Sequence, residues 1–190
     1  MNAPQPGFAD PVADAQGVFR AALAAMSHPG RVERIDTPAT APPPFSRAAA
    51  ALALTLIDES TPIWLDTTHM AGTEHLQFHC GARVVDAPAR ADFAIARAGA
   101  CPQPDAWACG TALEPHRSAT LVLEVDALGA GERYRLRGPG IADTRVFACR
   151  GLPRAWLAAR AASAFPCGLD LFLTSGDLIA ALPRTTRVEA

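Results

Sequence analysis

The run from Ser118 to Val125 limits the possible folds of this chain more than any other stretch. Leu121, Val122, Leu123 and Val125 make it almost continuously apolar and rich in strand formers. A strand of that kind is covered on both faces, so it belongs in the middle of a sheet. Pro62-Ile63-Trp64-Leu65 reads as another short central strand, and Asp92 to Ala96 as a further one.

Other segments follow a different period. Asp10-Pro11 reads as a helix N-cap followed by proline at the first helical position. Val12, Phe19, Leu23 and Met26 follow at helical spacing, and the helix is expected to stop before His28-Pro29-Gly30. Arg31 to Ile35 alternates like a half-exposed strand. Thr37 to Phe45, with its four prolines, reads as a stiff loop. Ser46 caps an alanine- and leucine-rich helix, Arg47 to Ile57, expected to be buried on most sides. Ala71 to Cys80 and Pro153 to Ala164 read as further helices, and Asp105 to Cys109 as a single helical turn.

Gly129 and Gly131 are read as a turn ahead of Arg133-Tyr134-Arg135-Leu136-Arg137, a period-two strand with three arginines on one face. Gly138-Pro139-Gly140 makes a corner, followed by a strand from Thr144 to Cys149. Leu169 to Leu182 reads as a β-hairpin, with Pro183-Arg184-Thr185-Thr186-Arg187 trailing as an edge or tail. The sum is an α/β fold in three layers around a mixed central sheet, with the hairpin and the arginine strand nearer an edge. Residues 1–7 are expected to be a loose arm, and 8–190 one domain.

Composition narrows function by exclusion. The net charge is −2, which gives no polybasic field for nucleic acid or an anionic membrane. The chain is 49% hydrophobic and 19% charged, a slight apolar surplus that suits a subunit covered by a partner. The first residues lack a charged segment and apolar core of signal-peptide type, so a cytoplasmic location is expected. The five cysteines are widely spaced without Cys-x-x-Cys, so buried free thiols are expected. All 17 basic residues are arginine. Without lysine there is no Schiff-base residue for pyridoxal phosphate and no Walker A loop. Any phosphate must be met by arginine, backbone N–H groups or a metal.

Four constellations have a functional and a plain reading. His75 and His79 are four apart, share a helix face, and could ligate a metal with His69 or Cys80; a packed histidine pair is the plain reading. Gly138 and Gly140 could line a phosphate with free backbone N–H groups, or merely turn the chain. Arg133, Arg135 and Arg137 could pair with carboxylates or phosphates, or form a solvated face or a subunit interface. Arg184, Thr185, Thr186 and Arg187 group donors suited to phosphate contact or to docking against a neighbour, or lie in an exposed tail.

Read in order, several blocks resemble the PhnH family, the H subunit of the bacterial carbon–phosphorus lyase system. They are Gly7-Phe8-Ala9-Asp10-Pro11-Val12, Ala25-Met26-Ser27-His28-Pro29-Gly30, Leu52 to Asp58, Phe78-His79-Cys80-Gly81, Gly138-Pro139-Gly140-Ile141, Phe165 to Asp170, and Leu182-Pro183-Arg184-Thr185-Thr186-Arg187. The resemblance spans Gly7 to about Val188 and implies a fold like the large domain of pyridoxal-phosphate-dependent transferases, without that cofactor. It also implies a homodimer that joins G, I and J subunits, in a machinery that uses MgATP and a phosphonate to form alkylphosphonate ribose triphosphate. It supplies no catalytic residue for this subunit. A complex-forming subunit is thus the leading expectation. The alternatives are a ligand-binding or catalytic subunit of that transferase, using Gly138, Gly140 and Arg184 to Arg187, and a stand-alone metal enzyme using His75 and His79.

Overall fold

The computed structural model describes residues 6–36 and 41–189; residues 1–5, 37–40 and 190 lie outside the described residues, and with them most of the expected arm and part of the expected loop from Thr37. Helices α1 (Pro11–Ser27), α2 (Arg47–Leu56), α3 (Thr73–Cys80) and α4 (Arg154–Arg160) accompany ten strands. In chain order the strands are β1 (Glu33–Arg34), β2 (Pro62–Leu65), β3 (Arg83–Val84), β4 (Phe93–Arg97), β5 (Thr120–Glu124), β6 (Ala127–Arg137), β7 (Arg145–Arg150), β8 (Asp170–Ser175), β9 (Leu178–Leu182) and β10 (Arg187–Glu189).

Seven strands form a large mixed sheet in the order β1-β9-β8-β5-β4-β2-β3. From β8 to β3 the neighbours run parallel; β9 and β1 add antiparallel partners. β5 is its centre, and the apolar run explains why. Val122 enters one core with Ile63, Ile95 and Phe172, while Leu121 and Leu123 enter the other. All three are at most 1% exposed, so the strand is buried on both faces.

Helices α1, α2 and α3 cover the first face. Asp10 caps α1, its Oδ1 accepting the Val12 and Ala13 N–H groups at 3.1 Å. Ser46 caps α2 by accepting the Ala49 N–H at 3.2 Å. As expected, α2 is buried almost all round, from Ala48 to Ala53. The inner stripe of α1 is not the expected one. Val18, Ala22 and Ala25 face inward, while Val12, Phe19 and Leu23 are exposed and Met26 is half-buried. Small side chains at three- and four-residue spacing let α1 lie close against the alanine face of α2, and that contact outweighs the larger apolar stripe.

The second face is covered by α4, by short 3₁₀ turns and by a separate three-stranded sheet, β10-β6-β7. The arginine strand therefore does not border the central sheet. Its alternate residues Tyr134 and Leu136 pack inward beside Phe147 and Cys149, and one apolar face is all that a covering sheet needs. Gly129 and Gly131 do not end a strand either; they sit in a bulge within β6, where the register against β7 shifts between Leu128 and Glu132. The expected hairpin is present as β8 and β9, with β8 in the sheet interior against β5. Its trailing segment turns between Pro183 and Thr186 and enters a strand, β10, at Arg187, paired with β6 through Arg187–Arg137 and Val188–Leu136. Helix α4 ends at Arg160, short of the expected Ala164.

Candidate functional site

In an open α/β sheet, ligands enter at the carboxyl ends of the parallel strands, where the crossovers change direction. Here the chain leaves β2 for β3 on one side and returns to β4 on the other, so the reversal lies between β2 and β4. Asp66 immediately follows β2, Arg97 ends β4, Glu124 ends β5 and Thr174 lies opposite Glu124 on β8.

This edge is filled from within. His69 is 0% exposed, Asp66 3%, Glu124 5% and Thr174 0%. One carboxylate oxygen of Asp66 accepts the His69 backbone N–H at 2.8 Å and lies 2.7 Å from His69 Nδ1. The other accepts the Arg97 backbone N–H at 2.8 Å, which closes the gap between β2 and β4. On the far side of the ring, His69 Nε2 stands 3.3 Å from Glu124 Oε2, an ion-pair contact that falls short of hydrogen-bond geometry. Glu124 Oε1 accepts the Ser46 N–H at 2.6 Å. A carboxylate thus sits at the N-terminus of α2, where the helix dipole favours an anion.

Burial acts against every charge in this group. It pushes the His69 pKa down, but contacts with Glu124 and Asp66 outweigh it and hold the imidazole above its ordinary value. Burial pushes Asp66 up, and the N–H groups of Arg97 and His69 together with the imidazole bring it below the usual carboxylate range. Glu124 is likewise pushed up by burial and held low by His69 and Ser46. The result is an imidazole ring held between two carboxylates that favour its charged form, with the residue withdrawn from solvent. Chemically this arrangement holds β2, β4, β5 and α2 in register. The sequence reading did not find it, although a signal existed: Glu124 is a charge inside the most apolar strand, and such a charge requires a partner.

The sequence-derived candidates lie elsewhere. His75 and His79 do share a face of α3, with ring centroids 4.5 Å apart. His75 is buried, neither ring nitrogen makes a hydrogen bond, and burial followed by the proximity of His79 keeps its pKa low. His69 belongs to the crevice group, and Cys80 Sγ contacts Ala53 O at 3.7 Å. Among the described residues, no group of three or more His, Cys, Asp or Glu is placed to hold a metal ion. All five cysteines are free thiols. Burial pushes Cys80 up to about 11 and Cys101 and Cys149 up to about 12, so these three stay protonated.

Gly138 does meet the Thr185–Thr186 segment. A Cβ on Gly138 would lie 2.7 Å from Thr185 O. Gly140, at φ +80°, faces another strand of backbone, and its Cβ would lie 2.2 Å from Ser27 O and 2.9 Å from Pro29. Both glycines permit close approach of the protein's own chain. Arg184 is half-buried and engaged: its backbone N–H and guanidinium both donate to Asp170, and Nη1 donates to Pro115 O at 2.6 Å. Beside it the guanidinium of Arg160, 6% exposed, donates to Leu169 O, Leu182 O and Pro183 O. Thr186 is buried with its hydroxyl unpartnered, and Arg187 is exposed. The blocks around His28-Pro29-Gly30, Gly138-Pro139-Gly140, Phe165 to Asp170 and Pro183 to Arg187 therefore meet in space, fastening the small sheet to the large one.

Residues 6–189 match the family described as "Bacterial phosphonate metabolism protein (PhnH)". The chain belongs to the PhnH family. It is 43% identical over 187 residues to the alpha-D-ribose 1-methylphosphonate 5-triphosphate synthase subunit PhnH of Rhizobium meliloti (strain 1021), covering 96% of this chain and 94% of that one. It is 32% identical over 179 residues to the putative C-P lyase subunit protein HtxG of Stutzerimonas stutzeri, covering 91% of this chain and 85% of the relative. The resemblance read from the ordered blocks and the comparison over the whole chain agree on the family. No helix among the described residues is long and apolar enough to cross a membrane.

Proposed function

We propose that this chain is a subunit of a carbon–phosphorus lyase complex in phosphonate catabolism, needed for making alkylphosphonate ribose triphosphate from MgATP and a phosphonate. The observation that carries the reading is 43% identity along nearly the full length of a subunit named for that synthase. Its role is to build the complex. The carboxyl-edge crevice supports this, because the place where such a sheet would take a ligand is filled by Asp66, His69 and Glu124, which contact one another and the backbone. On this reading Gly138, Gly140, Arg184 and Thr186 serve as architecture, the subunit carries no cofactor of its own, and the assembled complex uses the nucleotide. It works in the cytoplasm beside G-, I- and J-type subunits. It also pairs with a second copy, a role supported by the exposed apolar stripe of Val12, Phe19 and Leu23 on α1. The large sheet with α1 to α3 on one face is in keeping with a transferase-type large domain without the pyridoxal-phosphate cofactor, a reading the absence of lysine supports.

Reconstitution from purified subunits tests this. Leaving the chain out should abolish adenine release or prevent assembly. An undiminished rate from a normally assembled remainder would overturn it.

A further inference from the structure

The outer face of the three-stranded sheet concentrates charge of one sign on a chain whose net charge is −2. Tyr134 and Leu136 on β6, and Phe147 and Cys149 on β7, point inward and are at most 2% exposed. The alternate positions point outward: Arg133, Arg135 and Arg137 on β6, Val146 and Arg150 on β7, Arg187 and Glu189 on β10. Five guanidinium groups and one carboxylate share this face. Glu189 reaches Arg137 at 3.7 Å, both about half-exposed, which is a weak surface pair. Arg133, Arg135, Arg150 and Arg187 have no ion pair among the described residues. Most other arginines here are engaged, Arg145 with His28 O and Pro29 O, Arg160 with three carbonyls and Arg184 with Asp170. An open hollow of about 440 Å³ lies on this face, lined by Arg133, Tyr134, Arg135, Val146 and Glu189. Val146, 65% exposed, stands across from Arg135 as an apolar centre.

We propose that this face docks an acidic segment of another protein subunit, a reading that rests on the complex-forming role above. Arginine keeps its charge at all working pH, is weakly hydrated and pairs bidentately with carboxylates, so an arginine cluster is suited to an interface. Arg133, Arg135 and Arg137 follow one strand at roughly 7 Å intervals, the spacing of alternate residues in an extended chain. An acidic segment lying along β6 would present its own carboxylates at that interval, with Val146 as the apolar anchor. The span of about 14 Å exceeds a single phosphate. A second copy is disfavoured, because a two-fold contact sets this patch against itself and faces five arginines with five. Nucleic acid is disfavoured because no aromatic ring lies on the face for bases to stack on.

The test measures the affinity of this chain for the remaining subunits of the complex. Arg133→Glu/Arg135→Glu should weaken it by about 100-fold or more, Arg133→Gln/Arg135→Gln by about 10-fold, and Arg83→Glu on the far edge of the large sheet not at all. Wild-type affinity should fall as salt rises from about 0.05 to 0.5 M. Melting temperatures of the variants confirm that they are folded. If the wild-type chain does not bind the other subunits, the complex-forming reading fails and this inference with it. If the wild type binds and the glutamate variant binds equally well, the docking surface alone is wrong. It is also wrong if the variants assemble normally but lose heat of binding to inorganic triphosphate, or if they change self-association instead.

Discussion

At the carboxyl edge of the large sheet, Asp66, His69 and Glu124 are withdrawn from water and answer one another. On the small sheet, Arg133, Arg135, Arg150 and Arg187 stand in water without an ion pair among the described residues. The first group is satisfied inside one chain and is costly to disturb. The second contributes little to folding and is free to meet something else. A ligand-processing α/β subunit would be expected to show the reverse, with its open charges in the crevice.

Removing the buried imidazole should break this contrast most severely. His69→Ala leaves two carboxylates in the interior without their partner, and unfolding in urea should show a loss of about 3–5 kcal/mol. A loss under about 1 kcal/mol would mean that the cluster is open to water and not a clamp. Next is the seam between the two sheets. Gly140→Ala puts a side chain at φ +80° and against Ser27 O, and should cost about 2–3 kcal/mol by the same measurement.

The pH response of stability is smaller and depends on signs. His69 has a raised pKa, so its contribution is complete below about 6.5 and is lost as pH rises through the folded value. Asp66 and Glu124 have lowered values, so theirs is present above the ordinary carboxylate range and is lost as pH falls through the folded values. The melting temperature of the wild type should therefore decline on the alkaline side, and His69→Gln should flatten that decline. An unchanged alkaline slope in the variant would assign it to other groups. Smallest of all, Arg133→Gln and Arg135→Gln should each leave stability within about 0.5 kcal/mol of the wild type. A larger loss would show that the arginine face serves the fold.

The central strand, the caps at Asp10 and Ser46 and the final hairpin were legible in the sequence, because apolar runs and capping residues act locally. The second sheet was not. β6 alternates as any half-exposed strand does, and nothing in Arg133 to Arg137 states whether it joins the large sheet at an edge or lies across it. The inner face of α1 was misread because packing chose small residues over large ones. The crevice group was hidden by distance along the chain: Ser46, Asp66, Arg97 and Glu124 meet only once four elements are assembled. The sequence leaves Arg184 to Arg187 open between phosphate contact, docking and an exposed tail, because Asp170 and Pro115, which hold Arg184, are not its sequence neighbours.

The central claim is that this subunit acts by assembly and that its buried charge cluster is structural. Glu124→Gln tests it most directly, because the amide keeps an acceptor for the Ser46 N–H while removing the charge. In the reconstituted complex, at a temperature where the variant is folded, adenine release should proceed with an unchanged kcat. A fall of about 100-fold with assembly intact would place Glu124 in the chemistry and contradict the account.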